Sequence, residues 1–470
     1  MGSASNGMIN VKSYGAIGDG VADDTAAIQA AVNQALNTNA VCYIPAGDYL
    51  ISSKIDFVTQ SGWAVQGSGS KITRIVQDTD NIPIFDIGTT SGDLNAFTIS
   101  GIGFDYSNFQ TSSNIGANCI LWSNMPYEFR MNDIYFISGY YGFKVAAGVE
   151  PPWGDTLDDI RTHGGFINTG LSGGLMDWSE AALGGSPNHK WGRFLVYCTN
   201  SIGPIFNKIR AYNSSIDSIE FLDSDNNAVL IDADSQFAAT IGGMKLESFN
   251  WTKDGTDALL KFPNGPSLSI GQIHISGSNA IVNPVSGYLE IIRAGASASN
   301  TGYVSIGGVH AEASSMVGDN FVVSVSDYLC PVDIGNIDLS GGWSLNNQGG
   351  SQTCNYLKIK SWVNDRLANN NGDADKELVR GDGNLQTFNT TFTSPRTITI
   401  PNDNNNMCAG LYYDLSFNGS INGANTATIV SGSKTLAVIS SDKEHIRFTW
   451  RRNASFAYEG WVITDYGQLL

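Results

Sequence analysis

The chain is poor in charge: only 15% of its 470 residues are Asp, Glu, Lys or Arg, against roughly 25% in an ordinary soluble domain. It is poorest in positive charge, with 26 Lys and Arg against 44 Asp and Glu, a net charge of −18. Binding to nucleic-acid phosphate needs a basic surface, so that class of partner is excluded. No basic amphipathic stretch offers itself to a membrane surface, and no apolar run approaches the ~18 residues that a spanning helix needs. The six cysteines, Cys42, Cys119, Cys198, Cys330, Cys354 and Cys408, are scattered without a CxxC pair. A disulfide framework and a cysteine metal site are thereby excluded, and buried free thiols are expected. No metal and no cofactor is expected. There is no GxGxxG or P-loop, no EF-hand ligand set and no nucleophile elbow for a Ser-His-Asp arrangement. At the N-terminus a charged segment followed by an apolar one is missing, so no secretory signal is expected. Residues 1–7 read as a leader left by cloning.

What is present is ordered and turn-rich, with 42% hydrophobic and 10% aromatic residues and 53 glycines, too apolar for disorder. Gly15, Gly18 and Gly20 suit a tight turn, and Asp23, Asp24 and Thr25 supply oxygens for a helix start. Ile28, Ala31, Val32, Ala35 and Leu36 then follow the helical i, i+3, i+4 stripe. One amphipathic helix ahead of hundreds of strand-like residues suits the cap of an exposed sheet stack. Residues 8–60 are read as that cap.

The stretch Tyr14-Gly15-Ala16 … Gly18-Asp19-Gly20 … Asp23-Asp24-Thr25 … Ala27-Ile28-Gln29-Ala30-Ala31 resembles the opening of pectate-lyase-like right-handed parallel β-helices. That opening is shared by polysaccharide-degrading enzymes and by tailspike depolymerases of tailed phages, including phages of Gram-negative hosts. The resemblance covers about 40 residues and marks the fold. It leaves the site residues open, because members place their catalytic carboxylates differently.

Self-similarity supports the same fold independently. Segments such as Ser100–Phe104, Asn132–Phe136, Asn207–Ala211, Gly243–Glu247, Gly271–Ile275, Gly308–Glu312 and Gly335–Leu339 share one shape: a polar or glycine turn, then apolar, polar, apolar. A second family, including Ser218–Leu222 and Tyr288–Ile292, lies between them. A period of about 30 residues with two or three short strands is one rung of a parallel β-helix. The expected fold is therefore all-β: a solenoid over 61–368, with a capping helix before it. The repeat is interrupted over 148–193, read as a long loop walling a groove or contacting a neighbouring subunit. Past a hinge at Asn369-Asn370-Asn371, residues 375–470 are expected to form a small C-terminal β-sandwich for oligomerisation or carbohydrate contact.

Taking Ile209, Met244, Ile273, Val309 and Ile337 as core markers, the next residues outward form two ladders. One runs Arg210, Lys245, His274, His310, Asp338, and the other Tyr212, Glu247, Ser276, Glu312, Ser340. Rungs are about 4.8 Å apart, which separates Glu247 and Glu312 by roughly 9.6 Å, near the spacing an inverting glycosidase uses. Glu247 and Glu312 are thus the candidate acid and base. Arg210, Tyr212, Lys245, His274, His310, Trp153 and Trp191 are candidate substrate ligands, and Asp217, Glu220 and Glu180 are the rival carboxylates.

The resemblance implies an endo-glycosidase of the phage tailspike kind, a homotrimer hydrolysing a bacterial capsular or other surface polysaccharide. It also implies a virion protein folded in the host cytoplasm and acting at the host surface, held to the tail or baseplate through an N-terminal region absent from this sequence. Two alternatives stay open. One is a polysaccharide lyase on the same scaffold, with Arg210, Tyr212, Lys245 or His274 supplying the base. The other is a non-catalytic receptor-binding spike using its 10 Trp and 18 Tyr to stack sugars.

Overall fold

A computed structural model of the chain describes residues 7–58, 61–88, 94–164, 170–184, 186–197, 201–222, 229–247, 259–263, 265–276, 292–294, 302–311, 323–325, 332–339, 357–364, 369–378, 385–388, 390–400, 412–417, 421, 425–440, 444–452 and 459–468. The chain divides into two compact units, Met1–Thr252 with Leu259–Leu268, and Lys253–Ala258 with Ser269–Leu470.

The first unit opens on the expected helix, Thr25–Thr38, which buries Ile28, Ala31, Val32, Ala35 and Leu36. Asp24 precedes the helix but does not cap it. Its carboxylate, buried in the fold, accepts from the amides of Ile17 (2.6 Å) and Gly18 (2.9 Å) and so closes the glycine turn. Asp23 accepts from the amide of Thr25 at 3.0 Å instead.

Behind the cap, parallel strands stack in three ladders, each with a continuous apolar column. The first column is Cys42, Val65, Ile99, Met131, Leu157, Trp191, Ile216 and Ile241. The second is Ile102, Ile134, Ile160, Phe194, Ile219 and Met244. The third is Ile55, Phe85, Ile120, Phe143, Met176, Phe206, Ile231 and Leu260. Period-2 alternation sends these side chains inward and their neighbours outward. Between the first and second ladders the chain bends through a left-handed residue, Gly101 (φ 67°), Asp133 (φ 53°) or Asp159 (φ 50°), a conformation that Gly and Asp tolerate best.

Two expectations fail here. Residues 148–193 are not a loop: Thr156–Thr162 and Gly170–Asp177 are full strands, paired in register with the rungs before and after. Gly170, Gly173 and Gly174 make the second of these read as a turn, although all eight of its residues are buried. The marker Ile209 also belongs elsewhere. Phe206–Leu222 is one long strand carrying two ladder segments, and Ile219, not Ile209, stands opposite Met244. Both segments alternate identically, so periodicity alone does not separate them.

In the second unit, Tyr303–Ala311, Val332–Leu339 and Leu357–Asn364 pair in parallel, with Ile306, Ile334 and Ile359 in one register row. The asparagine triplet expected as a hinge is itself a strand, Asn369–Asn371, paired in parallel with Leu385–Phe388. Among the described residues, the C-terminal region forms sheets of five and four strands. The first three strands of each pair in parallel, and antiparallel strands Lys434–Ile439, Glu444–Arg452 and Glu459–Gln468 follow. Each sheet thus begins with parallel pairing, as the solenoid ladders do. Cys42 and Cys119 are free and buried, as expected; the other four cysteines lie outside the described residues.

Candidate active site

The outward positions of the second ladder carry a set of ionisable side chains. Tyr135 sits between buried Ile134 and Phe136 on Arg130–Phe136 and is half-buried. Arg161 stands opposite it on the next strand. His163 follows one residue past that strand, where its amide donates to the Phe136 carbonyl at 2.7 Å. The Tyr135 hydroxyl and His163 Nδ1 are 2.6 Å apart, a short hydrogen bond. Tyr197 closes one side, packed where Gly164 has no side chain; a Cβ there would meet the Tyr197 Cβ at 2.1 Å. Asp105 closes the other side, accepting from Ser138 Oγ (2.6 Å), the Tyr106 amide (2.9 Å) and Arg74 Nη1 (3.2 Å).

Electrostatics sets these groups in distinct states. Burial pushes the Tyr135 hydroxyl above its usual range, and Tyr197 adds to this while Arg161 opposes it. Tyr135 therefore keeps its proton at neutral pH. Burial also raises the Asp105 carboxyl, against hydrogen bonding from Ser138 and the charges of Arg74 and His163. Arg74 bridges Asp48 and Asp105, and Arg161 is paired with Asp159. Lys71, exposed, holds its ammonium 6.0 Å from the Tyr135 ring centroid. The result is an outward Tyr–His hydrogen bond with Arg161, Lys71 and Asp105 beside it. Among the described residues there is no group of three or more His, Cys, Asp or Glu able to hold a metal ion.

Comparison with known proteins bears on the fold. Residues 8–86 match the family described as "Rhamnogalacturonase A/epimerase, pectate lyase-like". That match spans the cap and the first rungs. The tailspike gp42 of Acinetobacter phage vb_AbaP_AS12 superposes with a TM-score of 0.55 at 10% identity, over 99% of this chain and 82% of that one. Mannuronan C5-epimerase AlgE5 of Azotobacter vinelandii is 57% identical over 44 residues, 9% of this chain and 4% of that protein. Glucan 1,3-beta-glucosidase of Cochliobolus carbonum is 35% identical over 91 residues, 18% of this chain and 11% of that protein. The chain thus spans only a small part of these two curated relatives.

Within this parallel solenoid the expected site residues scatter. Arg210 is not outward beside Lys245. It is buried, paired with Asp234 at 2.7 Å, and donates to the carbonyls of Ala182 and Gly184. Trp191 likewise does not face outward: it fills the first core column, 1% exposed, and donates from Nε1 to Asp155 Oδ2 at 2.9 Å. Tyr212 is bridged to Pro187, and Asp217 is exposed on Phe206–Leu222, its carbonyl against Gly242. Glu180 is exposed and pairs with Lys144 at 3.1 Å. Trp153 is half-buried, edge-on to Tyr127 with centroids 6.0 Å apart. Glu247 and Glu220 do meet: Lys245 Nζ donates to Glu220 Oε1 at 2.8 Å and also to Glu247 Oε2. Glu312 lies outside the described residues. His274 and His310 are in the second unit, their ring centroids 5.0 Å apart.

A Ser–His–Asp chain exists after all, yet it is structural. His189 Nδ1 contacts Asp155 Oδ1, and its Nε2 lies 2.8 Å from Ser186 Oγ, which donates to the Pro152 carbonyl. Ser186 is 0% exposed, so no substrate reaches its oxygen. The Tyr135 site was hidden because its partners Arg161 and His163 lie in the segment read as a loop. The signal available was Tyr135 itself, an aromatic at the outward position of a recognised rung.

Proposed function

We infer that the chain is a polysaccharide-cleaving enzyme of the tailspike kind, acting on a bacterial surface glycan at the Tyr135–His163 face. The observation that carries this reading is the 2.6 Å contact between Tyr135 and His163, outward on a rigid parallel ladder and flanked by Arg161, Lys71 and Asp105. The tailspike likeness over 99% of the chain and the pectate-lyase-like match favour the same class. A homotrimer on a phage tail, acting at the host surface, belongs to this reading.

Elimination is the chemistry that suits the set. In a uronate-bearing glycan, the base takes the proton α to the carboxylate, the C4–C5 double bond forms and the C4–O4 bond breaks. The acid delivers a proton to the departing O4. His163 accepts, protonated Tyr135 donates, and the cations of this face offset the substrate carboxylate. Hydrolysis by two carboxylates is a second reading, favoured by the convergence of Glu220 and Glu247 on one ammonium. Digestion of uronate-bearing capsular polysaccharide tests the two. Elimination raises ultraviolet absorbance together with reducing ends; hydrolysis raises reducing ends alone; a spike that only binds raises neither.

A further inference from the structure

The second unit carries a side-chain pair that the proposed reaction does not use. His274 lies on Ser267–Ser276 between buried Ile273 and Ile275, and His310 follows buried Val309 on Tyr303–Ala311. Alternation turns both imidazoles outward. The two strands pair, and two residues earlier the Gln272 side chain covers Gly308, 2.7 Å from where a Cβ would stand. The rings meet with centroids 5.0 Å apart and planes inclined by 58°.

The Nε2 atom of His274 is buried and has no hydrogen-bond partner. A buried ring nitrogen left unpaired is costly in water-free surroundings and asks for an occupant. Two imidazoles bound side by side to one metal at about 2.0–2.1 Å place their ring centroids roughly 4.5–5 Å apart, which the observed separation matches. The next strand carries Asp338 opposite His310 in the register.

We propose that His274 and His310 form a two-histidine chelate for a borderline divalent metal of the Zn2+, Ni2+ or Cu2+ class. Imidazole nitrogen selects these ions over Mg2+ and Ca2+, which prefer oxygen. The chelate clips neighbouring strands, so bound metal stabilises the folded chain by mass action. The inference is independent of the proposed cleavage, and its failure leaves that reading untouched.

The test uses the full, tag-free chain stripped with chelator and titrated with Cu2+ alone, read by electron paramagnetic resonance. The expected spectrum shows two equatorial nitrogens at one equivalent per chain, and Zn2+ alone raises the melting temperature. His274→Gln and His310→Gln each lower Zn2+ affinity at least tenfold in calorimetry. A wild-type Cu2+ spectrum with fewer than two nitrogens overturns the proposal whether or not either variant folds. So does unchanged affinity in both variants, which assigns any binding to other histidines.

Discussion

Tyr135 and His163 meet across adjacent rungs, hydroxyl to Nδ1 at 2.6 Å. The contact is diagonal, since Arg161 is the residue directly opposite Tyr135. Diagonal neighbours on parallel strands are within reach of an aromatic side chain, and the strand period aims both groups outward. Tyr135→Phe removes only the oxygen and leaves the ring packing. It is expected to lower turnover by about 10²–10⁴, the usual worth of a positioned proton donor, with glycan binding and melting temperature held. His163→Gln is expected to do the same. Steady-state kinetics with a binding isotherm check both.

The two tryptophans expected to touch sugar are separable. Trp191→Ala empties a core position and its bond to Asp155, and is expected to cost about 3–5 kcal/mol, seen as a large fall in the denaturant midpoint. Trp153→Ala is expected to leave the midpoint nearly unchanged and to weaken glycan binding by about tenfold, as loss of one stacking contact does.

Acid stability reports on the C-terminal residues. Arg396, 2.6 Å from Asp373, with help from Thr393, holds the Asp373 carboxyl down at about 2, below its ordinary 3.8. A depressed carboxylate stabilises the fold above its unfolded value, and that stability is lost as pH falls through the folded value. The melting temperature of wild type is therefore expected to exceed that of Asp373→Asn at pH 5, with the gap closing between pH 4 and pH 2. Thermal melts across this range check it, and a gap that widens on acidification would contradict it.

Assembly is open to a direct mass measurement. Light scattering is expected to return three chains of 50.2 kDa each, and a monomer at micromolar concentration would remove the trimer from the account.

Much of the fold was legible because solenoid rungs repeat a simple pattern. The cap helix stripe from Ile28 to Leu36 and the rung signatures at Ser100–Phe104 and Asn132–Phe136 all mark real elements. Register was not legible. Phe206–Leu222 contains two alternating segments, and nothing local says which of them faces Met244, so Arg210 was aligned with Lys245 although Glu220 is its neighbour. A shift of this kind moves every outward residue to another face, and the expected ladder dissolved with it. Arg161 and His163 were lost for a related reason: glycines and aspartates that make the bends of a solenoid look, in sequence, like a loop.

The central claim is that the Tyr135–His163 face cleaves a uronate-bearing glycan by elimination. The most direct measurement follows ultraviolet absorbance and reducing ends in parallel while wild type and Tyr135→Phe digest a panel of uronate-bearing bacterial surface polysaccharides. Both signals are expected to rise together for wild type and both nearly to vanish for Tyr135→Phe. Reducing ends released without absorbance, or cleavage by Tyr135→Phe at the wild-type rate, would contradict it.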